Sequence, residues 1–296
     1  MRNATQVDTV EIATAQSDPA VIAPRRRRDV VLWLAVGWIT LVIVCAVLAD
    51  VLPFVDRYDK RFPRAFKQGP SWDHWFGTNK VGFDIFSRTV YGARLSLLIA
   101  AASIALGLTV ATALGLTAGY YRRTADNIIT GVMDIVLAFP ALILTLAITT
   151  MFGRKAAWVI LALAILSIPP LTRIVRANTL VFAQKEFVLA AKAIGAPDRR
   201  ILTREILPNV VPAMLSFALT GMAVLIVAEG ALSFLGQSVP PPIPTWGFLI
   251  ADGRQNLDDA WWISITPAIV MFLTILSFNI IGDVLAKRFD IKESLA

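Results

Sequence analysis

The 296-residue chain has one cysteine, Cys45, and one histidine, His74. A single thiol excludes a disulfide framework and any cysteine-based metal site. A single imidazole leaves no histidine cluster to hold zinc. No Gly-Lys dipeptide occurs anywhere, so the phosphate cradle G-x-x-x-x-G-K-[ST] is missing and this chain does not hydrolyse ATP by that route. Charge is scarce too: 17% of residues are Asp, Glu, Lys or Arg, against about 25% in soluble domains.

What remains is apolar, with 56% of residues hydrophobic. Six long blocks hold almost no charge: 30–52, 95–118, 128–152, 156–172, 210–234 and 263–282. A hydrocarbon core about 30 Å thick is crossed by ~20 apolar residues of helix. The expected fold class is therefore all-α, a polytopic protein of six transmembrane helices set in a lipid bilayer. A soluble enzyme and a zinc protein are excluded. The net charge of +7 reads as basic loops rather than as affinity for nucleic acid.

Residues 1–29 read as a disordered cytoplasmic tail that ends in four arginines at 25–28. The apolar block after them exceeds the about 7–15 residues of a signal-peptide core and lacks a small-x-small cleavage site. With the N-terminus inside, six spans place the C-terminal stretch 287–296 inside as well. The inner segments then hold 17 Lys and Arg and the outer ones 11, in the sense of the positive-inside bias. Residues 53–94 form the first extracytoplasmic segment. There Trp72, Trp75, Phe76, Phe83, Phe86 and Val90 recur at near-helical steps, which predicts a helix lying in the membrane interface. A plain anchoring role for these aromatics, and for Trp246, Trp261 and Trp262, is the alternative.

Acidic groups inside apolar spans are costly and point to function. Asp134 lies early in the third expected span, Glu229 late in the fifth, and Asp283 at the end of the sixth. For Glu229 two readings stay open: a polar lining or gate of a translocation path, or a hydrogen bond that locks helix packing. Asp134 and Glu229 sit on different spans without a Ser–His or metal partner, so a membrane-embedded hydrolase is not supported. Pro140, Pro169, Pro170, Pro208, Pro212 and Pro267 lie within or at the ends of spans, where a missing N–H introduces kinks.

The inner loop 173–209 is too long for a simple turn and too regular for a linker. Residues 183–194 favour helix. Gly195 is placed to end it in a left-handed cap, Pro197 to start another helix, and Asp198 to sit at its positive end. Pro208 is expected to end the second helix before the fifth span. The result is a two-helix corner projecting from the membrane, with small residues at the bend and Lys192, Arg199, Arg200 and Arg204 around it.

These residues carry a resemblance. Ala190-Ala191-x3-Gly195, nine residues, then Glu205-Ile206-Leu207-Pro208 resembles the EAA signature (E-A-A-x3-G-x9-I-x-L-P) of ABC importer permeases. Leu189 stands where that signature has Glu, and Glu205 where it has Ile. Residues 74–84, followed by Ser87-Arg88 and residues 91–97, are similar to a segment that marks the C-type permease of dipeptide, oligopeptide and nickel importers, with Asn79 and Phe83 departing. Trp246-Gly247, Gly253-Arg254 and Asn279-x2-Gly282-Asp283 continue the likeness.

The resemblance implies a type I ABC importer permease fold for the core 95–286 and a non-catalytic transport subunit of a bacterial inner membrane. It implies pairing with a second, homologous permease, two ABC ATPase subunits that carry the ATP and Mg, and an extracytoplasmic binding protein. No cofactor is expected on this chain. The implied docking surface comprises Glu186, Ala190, Ala191, Lys192, Gly195, Ala196, Pro197, Asp198, Arg199, Leu207 and Pro208, and Asp134, Glu229 and Asn279 are candidates for the path or gate. Peptides are the expected cargo, with nickel or another small solute as the alternative and an enzyme or static channel as remote ones.

Overall fold

The computed structural model describes residues 25–293; residues 1–24 of the expected tail, and 294–296, lie outside them. Among the described residues all regular elements are helices, apart from two isolated bridges, Arg61 with Phe83 and Thr78 with Asp84. In chain order they are α1 (Arg25–Leu48), α2 (Ile85–Tyr121), α3 (Arg123–Ala138), α4 (Ala141–Phe152), α5 (Ala156–Phe182), α6 (Glu186–Ala193) and α7 (Asp198–Arg200). A π turn at Ile201–Ile206 leads into α8 (Leu207–Phe234), then come α9 (Trp246–Gly253) and α10 (Trp262–Glu293).

Five of these helices are long and apolar enough to cross a membrane, or six spans if the bent pair α3 and α4 counts as one. The expected third span is thus corrected. Its two halves bend by 84° because Pro140 drives Phe139 out of the helical region, to φ −81° and ψ 130°, and offers no N–H of its own. Other boundaries move as well. α1 begins within the expected tail, α10 continues through residue 293, and α5 runs unbroken through Pro169 and Pro170 to Phe182.

Pro208 does not end a helix. The backbone N–H of Leu207 reaches back five residues to Leu202 O, and Pro208 falls in the first turn of α8. The wider π register absorbs the step where the proline ring would meet the preceding turn. The interfacial helix expected between Trp72 and Val90 is also absent, and α2 starts only at Ile85. Gly77 and Gly82 hold φ of +73° and +80°, and a Cβ at either would lie 2.5 Å from a backbone oxygen, of Gln68 or Phe62. The stretch is instead a compact loop. Asn79 Oδ1 accepts from the N–H groups of Val81 (3.0 Å) and Phe83 (2.9 Å), and Trp75 stacks on Phe54 with ring centroids 5.7 Å apart. Asp84 ends the loop by capping α2, accepting from Ser87 N–H at 2.7 Å, while its other oxygen meets His74 Nδ1 at 2.9 Å.

The centre of the bundle is the pair α2 and α5. Gly107, Ala111, Gly115 and Gly119 recur every fourth residue and line one face of α2. A Cβ on Gly115 would lie 2.6 Å from Val175, and one on Gly119 2.6 Å from Thr179. Small residues at this spacing let two backbones approach within lipid. Around the pair, Ile99, Leu163, Ile226, Leu232 and Trp246 form the main buried cluster with α8 and α9. Leu41, Val224, Ile269 and Phe272 stay exposed on the outward sides of the spans, as residues facing acyl chains do.

Candidate functional site

The corner at residues 186–206 is built by local chemistry. Lys185 is extended and α6 starts with Glu186 in its first turn and ends with Lys192 in its last, each favourable to the helix dipole. Gly195 takes φ +77°. Its N–H bonds Lys192 O, and the next N–H, of Ala196, reaches Ala191 O, both at 3.0 Å. This pair of bonds is the Schellman closure, which needs a left-handed residue at the turn. Pro197 is extended and precedes α7, with Asp198 in the first turn.

The two arms stand on a buried root. Val188, Ile201 and Ile206 are fully buried against Leu116 of α2, Val175 of α5 and Val210 and Met214 of α8. Ala191, Ala196 and Leu207 are half-buried facing that root. Glu186, Ala190, Lys192, Gly195, Pro197, Asp198 and Arg199 are exposed together on the other side. Pro208 is exposed too, but on α8. The apolar Phe187, Leu189 and Ile194 share this exposure, and Ile194 is 80% exposed at the tip.

One contact at this corner escapes a reading of the loop alone. Tyr120, at the end of α2, donates its hydroxyl to Asp198 Oδ1 at 2.7 Å. Lys192 Nζ lies 4.6 Å from the centroid of the same ring, within cation–π range. Nothing in the loop's residues marks Tyr120, which lies far away in the chain; its place on the buried root becomes visible only once α2 packs there.

The path and gate candidates do not converge. Asp134 is exposed and pairs with Arg173 Nη2 at 2.6 Å. About two turns before it, Asp126 takes a two-pronged bond from Arg176, the Nη2 prong at 2.6 Å, so α3 is tied to α5 by two ion pairs. Asn279 folds its amide back onto Ile275 O at 2.9 Å within α10.

Glu229 is 1% exposed and lines no open surface in this conformation. Its Oε1 accepts from Ser233 at 2.8 Å and from Ser238 at 2.7 Å. Ser233 lies 3.3 Å from Thr245 Oγ1, which caps α9 by accepting from Phe248 N–H at 3.1 Å. A carboxylate, three hydroxyls and a helix cap thus join α8 to α9. The hydroxyls that follow Glu229 at positions 233, 238 and 245 are the sequence signal that marks this nest. Beside it a cleft of about 460 Å³, lined by Leu142, Val227, Gly230, Ala231 and Met271, is almost wholly apolar. Among the described residues no group of three or more His, Cys, Asp or Glu is arranged to hold a metal ion.

Known proteins share this sequence and architecture. The family of binding-protein-dependent transport system inner membrane components matches residues 111–292. The dipeptide transport system permease protein DppC of Alkalihalophilus pseudofirmus is 39% identical over 254 residues, 86% of this chain and 83% of that protein. The glutathione transport system permease protein GsiD of Pectobacterium atrosepticum is 38% identical over 255 residues, 86% of this chain and 85% of that one. Among solved structures, an inward-facing form of the MetNI methionine ABC transporter aligns with a TM-score of 0.55 over 68% of this chain and 96% of that chain, at 16% identity. An amino acid ABC transporter aligns with a TM-score of 0.52 over 69% and 94%, also at 16% identity. At that identity the structures speak for the fold alone, whereas the sequence matches speak for descent. The chain belongs to the binding-protein-dependent ABC importer permeases, the family of inner membrane components that includes the DppC and GsiD permeases.

Proposed function

We propose that this chain is one of two permease subunits of a peptide importer and that its 186–206 corner is where an ABC ATPase docks. The observation that carries the docking is Ile194: a large apolar side chain, 80% exposed, at the tip of a corner beyond the ends of the spans. Lipid does not cover a side chain there, and in water it gains by burial against another protein. The second permease, homologous but distinct, packs beside this chain. ATP and Mg reside on the docked ATPases, in keeping with the absence here of a Gly-Lys phosphate cradle. The corner, the tail and the C-terminus face the cytoplasm, as the 17 to 11 distribution of Lys and Arg favours. A binding protein delivers cargo on the opposite face. Short peptides are the cargo favoured by the names of the dipeptide and glutathione permeases.

In this mechanism the ATPases close on ATP and shift the corner. The spans then exchange an inward-open for an outward-open cavity. The decisive experiment places cysteine at Ile194 after Cys45 is replaced by serine, and treats the purified complex with a short bifunctional cross-linker. An adduct with the ATPase subunit is expected at position 194, and none from a cysteine at Trp72. An adduct from Trp72 but not from position 194 contradicts both the docking and the orientation.

A further inference from the structure

Tyr120 touches both arms of the corner at once. Its hydroxyl holds Asp198 at the start of α7 (2.7 Å), and its ring lies under Lys192 in the last turn of α6 (4.6 Å to the centroid). The arms meet at Gly195, at a left-handed φ of +77° with open space where a Cβ would stand, and the bonds of the Gly195 and Ala196 N–H groups close the turn. Because Tyr120 contacts one residue on each arm, a change in the angle between the arms loads at least one of the two contacts.

What Tyr120 belongs to gives this contact its consequence. α2 has 37 residues, about 56 Å of helix at ~1.5 Å per residue, well beyond the roughly 30 Å of hydrocarbon. One end is capped by Asp84 in the outer loop; the other is Tyr120 at the corner. Along its length the Gly115 and Gly119 contacts, close enough to forbid even a Cβ, join it to α5. Asp126–Arg176 and Asp134–Arg173 then join α5 to α3. The corner enters α8 through the π turn Ile201–Ile206, whose Ile201 and Ile206 pack in the buried root with Leu116 of α2 and Val175 of α5.

We infer that Tyr120 is a positioning residue, the clasp through which motion of the corner is passed to α2 and so to the packed unit of α2, α3 and α5. The inference rests on the docking reading above. In it the buried apolar root fixes where the corner stands, and the Tyr120 clasp ties the angle between its arms to α2. A strut of this kind does not set whether the ATPase binds or hydrolyses; it sets how much of each hydrolysis appears as import.

The test is the ratio of substrate imported to ATP hydrolysed, in proteoliposomes holding the full complex and supplied with binding protein and a peptide. Tyr120→Phe keeps the ring beneath Lys192 and removes the hydroxyl. It is expected to lower the ratio about three- to tenfold, the range one hydrogen bond of ordinary strength supports, with assembly and basal hydrolysis unchanged. Asp198→Ala should lower it similarly, Asp198→Asn, which keeps an acceptor oxygen, should restore most of it, and Tyr120→Phe with Asp198→Ala should be no worse than either alone. A wild-type ratio in Tyr120→Phe, or effects that multiply in the double variant, overturns the clasp. The cysteine cross-link at position 194 is scored in each case. If it is missing in the otherwise unaltered complex, the docking reading fails; if it is present there and lost in Tyr120→Phe, Tyr120 shapes the docking surface and the clasp fails by itself.

Discussion

The end of the bundle that carries the 53–84 loop is dense in polar side-chain bonds within the chain, whereas the corner stands on a buried apolar root and leaves further apolar side chains exposed. In the loop, Asn79 closes on two backbone N–H groups, Asp84 serves both His74 and the α2 cap, and Lys67 reaches Asp259 at 2.5 Å. Glu229 gathers the hydroxyls that fix α9 to α8. At the corner, Val188, Ile201 and Ile206 are buried, but Phe187, Leu189 and Ile194 are left exposed. The loop too leaves apolar groups exposed, Trp72 at 95% and Phe66 at 57%, but its polar groups are knitted to one another. On the proposed docking, the apolar groups left uncovered at the corner are those a partner would bury.

Three substitutions sharpen the contrast, in falling order of their effect on folding. The largest belongs to the element that joins the two ends. Gly119→Leu puts a branched side chain where even a Cβ would lie 2.6 Å from Thr179. Overpacking of this kind costs about 1–3 kcal/mol or more, and here it parts α2 from α5. The purified complex should melt at a clearly lower temperature, and an unchanged Tm would show that the small-residue face is slack.

The second acts on the polar bonds at the loop's end of the bundle. Glu229→Leu leaves the hydroxyls of Ser233 and Ser238 buried without their acceptor, at about 1–3 kcal/mol for each group so orphaned. Glu229→Gln keeps an acceptor oxygen and should cost less. Thermal melts of the two variants separate the cases. Equal losses would mean that the nest does not hold α9 and that Glu229 acts by its charge. The third, at Gly195, is the mildest for folding and the most damaging for work.

Much of this was legible in the residues, and the failures have physical reasons. The long apolar blocks announced the spans because burying backbone in lipid leaves the chain little but helix. The corner was legible because Gly195, Pro197 and Asp198 each meet a local requirement of cap or first turn. The outer helix was misread because aromatic periodicity was weighed without Gly77 and Gly82, whose backbones approach Gln68 and Phe62 too closely for any side chain. Pro208 was misread as a stop because a π turn, which costs one residue of register, is invisible in composition. Pro140 was noted as a kink, but an 84° break depends on what packs beyond it. The spacing of Gly107, Ala111, Gly115 and Gly119 was there to be seen as a helix-packing face. Tyr120 and the partner of Asp126 required the tertiary arrangement, since each pairs across a long stretch of chain that no local pattern specifies.

The central claim is that the corner transmits force from a docked motor, and Gly195 tests it most directly. Valine at φ +77° costs about 1–2 kcal/mol in an exposed turn with open space around it, so the chain should still fold, insert and assemble while the angle between α6 and α7 changes. Asparagine tolerates the left-handed conformation and serves as the matched control. Peptide uptake by the reconstituted complex should be abolished in Gly195→Val and largely kept in Gly195→Asn, with both complexes intact on purification. Uptake by Gly195→Val at the unaltered rate would contradict the account.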